Sequence, residues 1–132
     1  MHDCIFCKIV KGEIPSYKVY EDPDFMAFLD IKPINKGHVL VISKKHYRWT
    51  WDVPEFEEYW KVIKKITKAL IKGLHAERVQ YITLGETVPH AHVHVVPRYK
   101  DDGLKSLPDW DKSKEFLADE MKNISDKIIG QI

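Results

Sequence analysis

The sequence predicts an α+β domain: a mostly antiparallel five-stranded sheet with two main helices. Three observations predict it. Five short runs, 18–21, 25–30, 38–43, 79–84 and 91–97, read as strands bounded by turn residues. Two stretches, 54–73 and 113–129, carry apolar residues at helical spacing. With a short helix at 4–11, the order is helix-β-β-β-α-β-β-α within a chain of 132 residues.

Each element has its own signal. Residues 4–11 end at Gly12 with Pro15 beyond, which suits a helix stop. The strands 18–21 and 25–30 flank the turn signal Glu21-Asp22-Pro23-Asp24. Pro33 and Asn35 mark a loop before His38–Ser43, whose sequence HVLVIS is strongly β-branched. Residues 44–53 read as irregular, with room for one helical turn. In the long helix, Phe56, Tyr59, Trp60, Ile63, Ile66, Leu70 and Ile71 fall on one stripe, with lysines and glutamates opposite. Pro54 suits its first turn and Gly73 its end. Residues 99–112 form a polar loop. In 113–129, Phe116, Leu117, Met121, Ile124, Ile128 and Ile129 share a face.

Composition limits the function classes. The size suits one compact domain, expected to span 1–132, with a core at 4–98 and a C-terminal loop and helix at 99–132. Basic and acidic side chains number 21 and 20, a balance that argues against a broad nucleic-acid-binding face. No apolar run is long enough to span a bilayer, and Met1-His2-Asp3-Cys4 resembles no secretory leader. Cytoplasm is the expected location, with neither membrane nor nucleic acid as partner. In that setting the two cysteines, Cys4 and Cys7, point to metal or redox use rather than a structural disulfide.

The run His90-Ala-His92-Val-His94 carries the chemistry. Alternate side chains of a strand share a face, so the three imidazoles line one side and Ala91, Val93 and Val95 the other. Strand rise spaces neighbouring imidazoles about 6.6 Å apart. Two of them can share a metal; all three on one ion would need a bend. A straight row suits an extended anion such as a phosphate. A neutral imidazole whose Nδ1–H is held by a carbonyl offers its Nε2 lone pair as a nucleophile, and its neighbours can donate to equatorial phosphate oxygens.

These residues resemble a known family. His90-Ala-His92-Val-His94-Val-Val is similar to the histidine-triad (HIT) motif. CIFCKIVKGEIPSYKVYED and AFLDIKPINKGHVLVISKKH resemble the amino-terminal segment and central hairpin of its Hint-like branch. The resemblance covers roughly residues 4–98. It implies a HIT-like fold and a nucleotide hydrolase or transferase acting at an α-phosphate through a nucleotidyl-histidine intermediate. A purine nucleoside monophosphate, AMP or GMP, would be released from a phosphoramidate, adenylylated or dinucleoside polyphosphate substrate. It also implies a homodimer.

By the same resemblance, His92 is the nucleophile, His94 binds the α-phosphate and His38 supports from the adjacent strand. Ile5, Phe6, Ile9, Phe28 and Ile31 wall the base and ribose, and Asp30 takes the ribose hydroxyls. Thr87 stands near the scissile bond. Hint-like proteins with this CxxC complete a closed, structural zinc site with two histidines, which correspond here to His46 and His90 beside Cys4 and Cys7. No catalytic metal is required by the scheme. His2 is left out of the set, and His75 reads as a surface residue.

Two features depart from the family pattern. The segment Thr83-Leu84-Gly85-Glu86-Thr87-Val88-Pro89 is shorter than the usual glycine-rich loop, and Glu86 replaces a glutamine. A carboxylate near the leaving group repels polyphosphate and tolerates an amine, which favours phosphoramidate or adenylylated substrates. The tail after Arg98 exceeds the short Hint tail and carries no motif bearing on chemistry. Two other readings remain open: a non-catalytic nucleotide-binding or interaction module, and a metal-dependent hydrolase ligated by His92, His94 and His38.

Overall fold

The computed structural model describes residues 3–132; the leader reading at Met1 and His2, and the setting aside of His2, lie outside them. The elements run α1 (Ile5–Val10), β1 (Lys18–Glu21), β2 (Phe25–Leu29), β3 (Val39–Ser43), a 3-10 turn at Thr50–Asp52, α2 (Phe56–Leu74), β4 (Arg78–Ile82), β5 (His92–Arg98) and α3 (Ala118–Ile129). The five strands form one antiparallel sheet in the order β1-β2-β3-β5-β4. This is the expected α+β architecture. No helix among the described residues is long and apolar enough to cross a membrane.

The period of two along the strands divides the sheet into unlike faces. Phe25, Ala27 and Leu29 of β2, Val39 and Val41 of β3, and Val93 and Val95 of β5 join Ile63, Ile66 and Leu70 of α2 and Ile124 and Ile128 of α3 in the main core. Each Val, Leu, Ile or Phe among them stabilises the fold by about 1.5–3 kcal/mol when fully buried. The opposite face carries Met26, Phe28, Leu40 and Ile42, which pack with Phe6 and Ile9 of α1. Register places Ile42 opposite His92 and Leu40 opposite His94. The histidines therefore continue an apolar face that a helix of only six residues covers in part.

Several local expectations need correction. Gly73 does not end α2; the helix runs one residue further and closes on His75, which takes the left-handed conformation at φ 62°. Gly73 instead lets α3 approach, since a Cβ there would lie 2.6 Å from the Lys127 carbonyl oxygen. Pro54 precedes the helix rather than entering its first turn. Phe56 and Ile71, placed on the buried stripe by periodicity, are exposed, and Val62, Ala69 and Leu74 are buried. The last helix starts at Ala118, not 113, because Lys114 N–H donates to Pro33 O at 2.7 Å and holds the preceding segment against the β2–β3 loop. Leu117, expected on the buried face, is 70% exposed.

Candidate functional site

Two clusters flank the start of β5, and hydrogen bonds fix the proton positions in both. At the open face, His92 Nδ1–H donates to the His90 carbonyl oxygen at 2.6 Å. This leaves Nε2 with its lone pair free. Thr83 Oγ1–H donates to His92 O at 2.8 Å and steadies the strand from β4's side. Phe6 meets the His92 ring edge to face, with centroids 5.1 Å apart.

His38 sets the tautomer of His94. The Ile34 N–H donates to His38 Nδ1 at 3.0 Å, so a neutral His38 carries its proton on Nε2. That proton is given to His94 Nδ1 at 3.0 Å, which assigns the His94 proton to Nε2. The two triad members thus present opposite chemistry: an Nε2 lone pair on His92 and an Nε2–H donor on His94. Their rings lie 5.0 Å apart, closer than flat-strand spacing gives. Burial keeps all three imidazoles neutral. It pushes His38 and His94 down to about 3, and lowers His92 against the opposing effect of the His90 carbonyl bond.

Asp30 completes this group. Its Oδ1 accepts the Lys32 N–H at 2.9 Å. Its Oδ2 lies 3.7 Å from His38 Nε2 and 3.9 Å from His94 Nδ1, beyond good hydrogen bonds, and is left to accept from a ligand. Burial raises its carboxyl above the ordinary value.

A cavity of about 610 Å3 opens over these groups. Ile5, Phe6, Ile9, Phe28 and Ile31 line it, as do Asp30, His38, Thr87, His92 and His94. Every residue expected to touch the nucleotide is therefore on one cavity wall, although Ile5 and Ile31 are 44% and 72% exposed rather than core residues. Sequence reasoning missed Trp110, Asp111 and Ser113, which also line the cavity. The tail after Arg98, which carries no motif bearing on chemistry, thus supplies part of the cavity lining. Trp110 meets His94 edge to face at 4.7 Å and His38 at 6.1 Å. An isolated tryptophan in a polar loop was the available signal, but only its anchor contacts, far away in sequence, give it meaning.

The second cluster gathers Cys4, Cys7, His46 and His90, whose donor atoms all lie within 4.8 Å of one another. Cys4 Sγ is 3.3 Å from His90 Nδ1, and Cys7 Sγ is 3.2 Å from His46 Nδ1. Tetrahedral zinc with sulfur and nitrogen ligands spaces such atoms about 3.6 Å apart. His90 Nε2–H donates to Ser43 O at 2.6 Å, which turns the Nδ1 lone pair toward the thiols. A carbonyl partner of this kind is the usual orienting contact of a ligating histidine. Without a cation, burial and the adjacent Cys4 push the Cys7 thiol up to about 11; a divalent ion reverses that preference. The donor set fits a structural zinc. His90 thus turns away from His92, and His92 belongs to neither of the converging metal-ligand groups found among the described residues. The second such group is Asp30, His38 and His94.

The HIT domain family model matches residues 11–101. The chain belongs to the HIT family. It is 37% identical over 118 residues to an adenosine 5′-monophosphoramidase of Candida albicans, an alignment covering 81% of this chain and 77% of that protein. Among solved structures, a HIT-like protein of Bartonella henselae superposes with a TM-score of 0.86 at 32% identity, covering 100% of this chain and 98% of the other. A zinc-bound histidine-triad protein of Mycobacterium smegmatis superposes with a TM-score of 0.79 at 33% identity, covering 97% and 91%.

Proposed function

We propose that this HIT-family chain is a nucleotide hydrolase that cleaves a phosphoramidate or adenylylated nucleotide through a nucleotidyl-His92 intermediate. The observation that carries the reading is the pairing of tautomers. A lone pair on His92 Nε2 and a proton on His94 Nε2 face one cavity, with their other nitrogens already engaged.

His92 Nε2 attacks the α-phosphorus as the bond to the leaving amine or acyl oxygen breaks, and His94 Nε2–H holds the equatorial charge. Thr87 stands on the cavity wall where its hydroxyl can pass a proton to the departing group. Water then cleaves the phosphorus–nitrogen bond, restores neutral His92 and releases a purine nucleoside monophosphate. Asp30 Oδ2 takes the ribose hydroxyls. The apolar walls take the base, and the Candida albicans relative's adenosine monophosphoramidase activity points to adenine.

Cys4, Cys7, His46 and His90 would hold a structural zinc, which would cross-link the start of α1 to the His46 segment and to the start of β5. Four protein ligands would leave no open position for substrate, and no step of the scheme is routed through a metal. The reading includes a homodimer with a second copy of the chain. β4 is an edge strand, and its Tyr81, which meets the Trp60 ring edge to face at 5.5 Å, is 45% exposed. Pairing of two β4 edges would cover that surface.

The deciding experiment incubates the protein with adenosine 5′-phosphoramidate, quenches in alkali and maps adducts by mass spectrometry. A mass increase of one AMP residue on the His92 peptide is expected. Turnover with no adduct on that peptide, under conditions that trap rapid intermediates, sinks the covalent scheme. Tight AMP binding with no turnover of any nucleotidyl amine favours the binding-module reading.

A further inference from the structure

We propose that Trp110 is a substrate-contacting residue, and that the C-terminal segment of this same chain closes the ribose side of the nucleotide cavity. The inference deepens the proposed function and rests on it.

The indole occupies a particular place. It packs at right angles on His94, the ring that carries the phosphate-binding proton, and reaches His38, which sets the His94 tautomer. Yet it is still 39% exposed, and it lines the cavity. Asp30 is on the same wall. Asp30 Oδ2 lies 3.9 Å from His94 Nδ1, so a ligand whose ribose reaches Asp30 and whose α-phosphate reaches His94 lies beside the indole that packs on the His94 ring. The apolar C–H edge of the sugar then covers the ring and removes water from the phosphate's neighbourhood. Dehydration there strengthens the His94 hydrogen bond.

The segment is held to this position from both sides. Lys114 N–H donates to Pro33 O, and Lys114 Nζ donates to Asn35 Oδ1, both at 2.7 Å. Asn35 Nδ2 in turn donates to Pro97 O on β5 and to Asp102 Oδ2. Asp102 pairs with Arg98, whose side chain is 1% exposed, at 2.9 Å. The strap is therefore tied to the catalytic strand at one end and to the loop that carries Asp30 at the other. Its contact lies at the sugar and phosphate, so it recognises any ribonucleoside 5′-phosphoryl group and leaves the base free.

AMP and GMP are the probes, with binding read by calorimetry and tryptophan emission. Four tryptophans are present, so the signal of Trp110 is the difference between the wild-type protein and Trp110→Phe. Expected is a nucleotide-dependent change in that difference. Trp110→Ala should raise Kd at least about fivefold for both nucleotides alike. Lys114→Ala should shift Kd the same way by less. The emission arm needs only the conservative phenylalanine variant to fold. Wild-type binding of AMP with a silent Trp110 and an unchanged Kd in Trp110→Ala overturns the inference and leaves the proposed function standing. Failure of the wild-type protein to bind either nucleotide overturns both.

Discussion

His90 and His92 are two residues apart in one short run, but their rings are wired in opposite senses. His90 gives its Nε2 proton to Ser43 O and keeps Nδ1 for the thiols. His92 gives its Nδ1 proton to His90 O and keeps Nε2 for the cavity. The difference comes from the backbone. His90 lies before β5 begins, between Pro89 and a strand whose pairing with β3 starts at His92. Free of the ladder, its ring turns toward α1. One carbonyl partner per imidazole thus assigns one residue to a metal-binding geometry and the next to an open cleft. The two ends should respond differently to every perturbation that tells metal from substrate.

The sharpest break is at the proposed nucleophile. His92→Ala should lower kcat by at least about 10^4-fold, since no other free lone pair is placed to replace it. AMP binding should stay within a few-fold of wild type and thermal stability should barely move. Turnover within tenfold of wild type would mean that the cleft end does not use His92.

Metal removal tests the other end. Chelation, or Cys7→Ala, should abolish zinc binding by elemental analysis and lower Tm by about 10 °C or more. In molecules still folded, kcat should fall less than tenfold, because the Nδ1 bond of His92 goes to the main-chain carbonyl of His90 and not to the ring that would ligate the metal. Full loss of the His92 adduct in folded, zinc-free protein would show that the two ends act as one site.

Much of this division was legible beforehand, and the reasons are local. Alternation in β5 and the strong β-branching of β3 gave the face on which His92 and His94 sit, because strand period is a property of the chain itself. The resemblance to the Hint-like branch implied Cys4, Cys7, His46 and His90 as one set, and the fold brings their donor atoms within 4.8 Å of one another. What stayed hidden depends on partners distant in sequence. Gly73 reads as a stop until Lys127 is brought against it. Ser113 to Leu117 reads as helix until Pro33 and Asn35 take the hydrogen bonds of Lys114. Trp110 reads as a loop residue until the same clip lays it on His94. Sequence alone leaves the proton positions open, and the carbonyl and amide partners of His92 and His38 resolve them.

Acid should separate the ends again. His38 is neutral and held near 3 in the fold, against 6.5 for a free imidazole. A folded value below the unfolded one means that the contribution is complete above pH 6.5 and is lost as pH falls toward 3. Between pH 7 and pH 5 this one group should cost about 2 kcal/mol of stability. Urea unfolding with excess zinc present keeps the metal end saturated. Under those conditions the wild-type protein should lose that amount more than His38→Gln does. Equal losses in the two proteins would place the acid sensitivity elsewhere.

The smallest effect is expected between the ends, where Thr87 and Val88 line both the large cavity and a second one of about 320 Å3 beside Cys4 and His46. Glu86 precedes them and is exposed, so water and salt screen its charge. Glu86→Gln should therefore shift the ratio of phosphoramidate to dinucleoside polyphosphate turnover by only about two- to fivefold, toward the polyphosphate. The shift should shrink as salt rises from low to physiological strength. A salt-independent change, or one in the opposite direction, would mean that the shortened loop selects substrates by shape and that its carboxylate is a bystander.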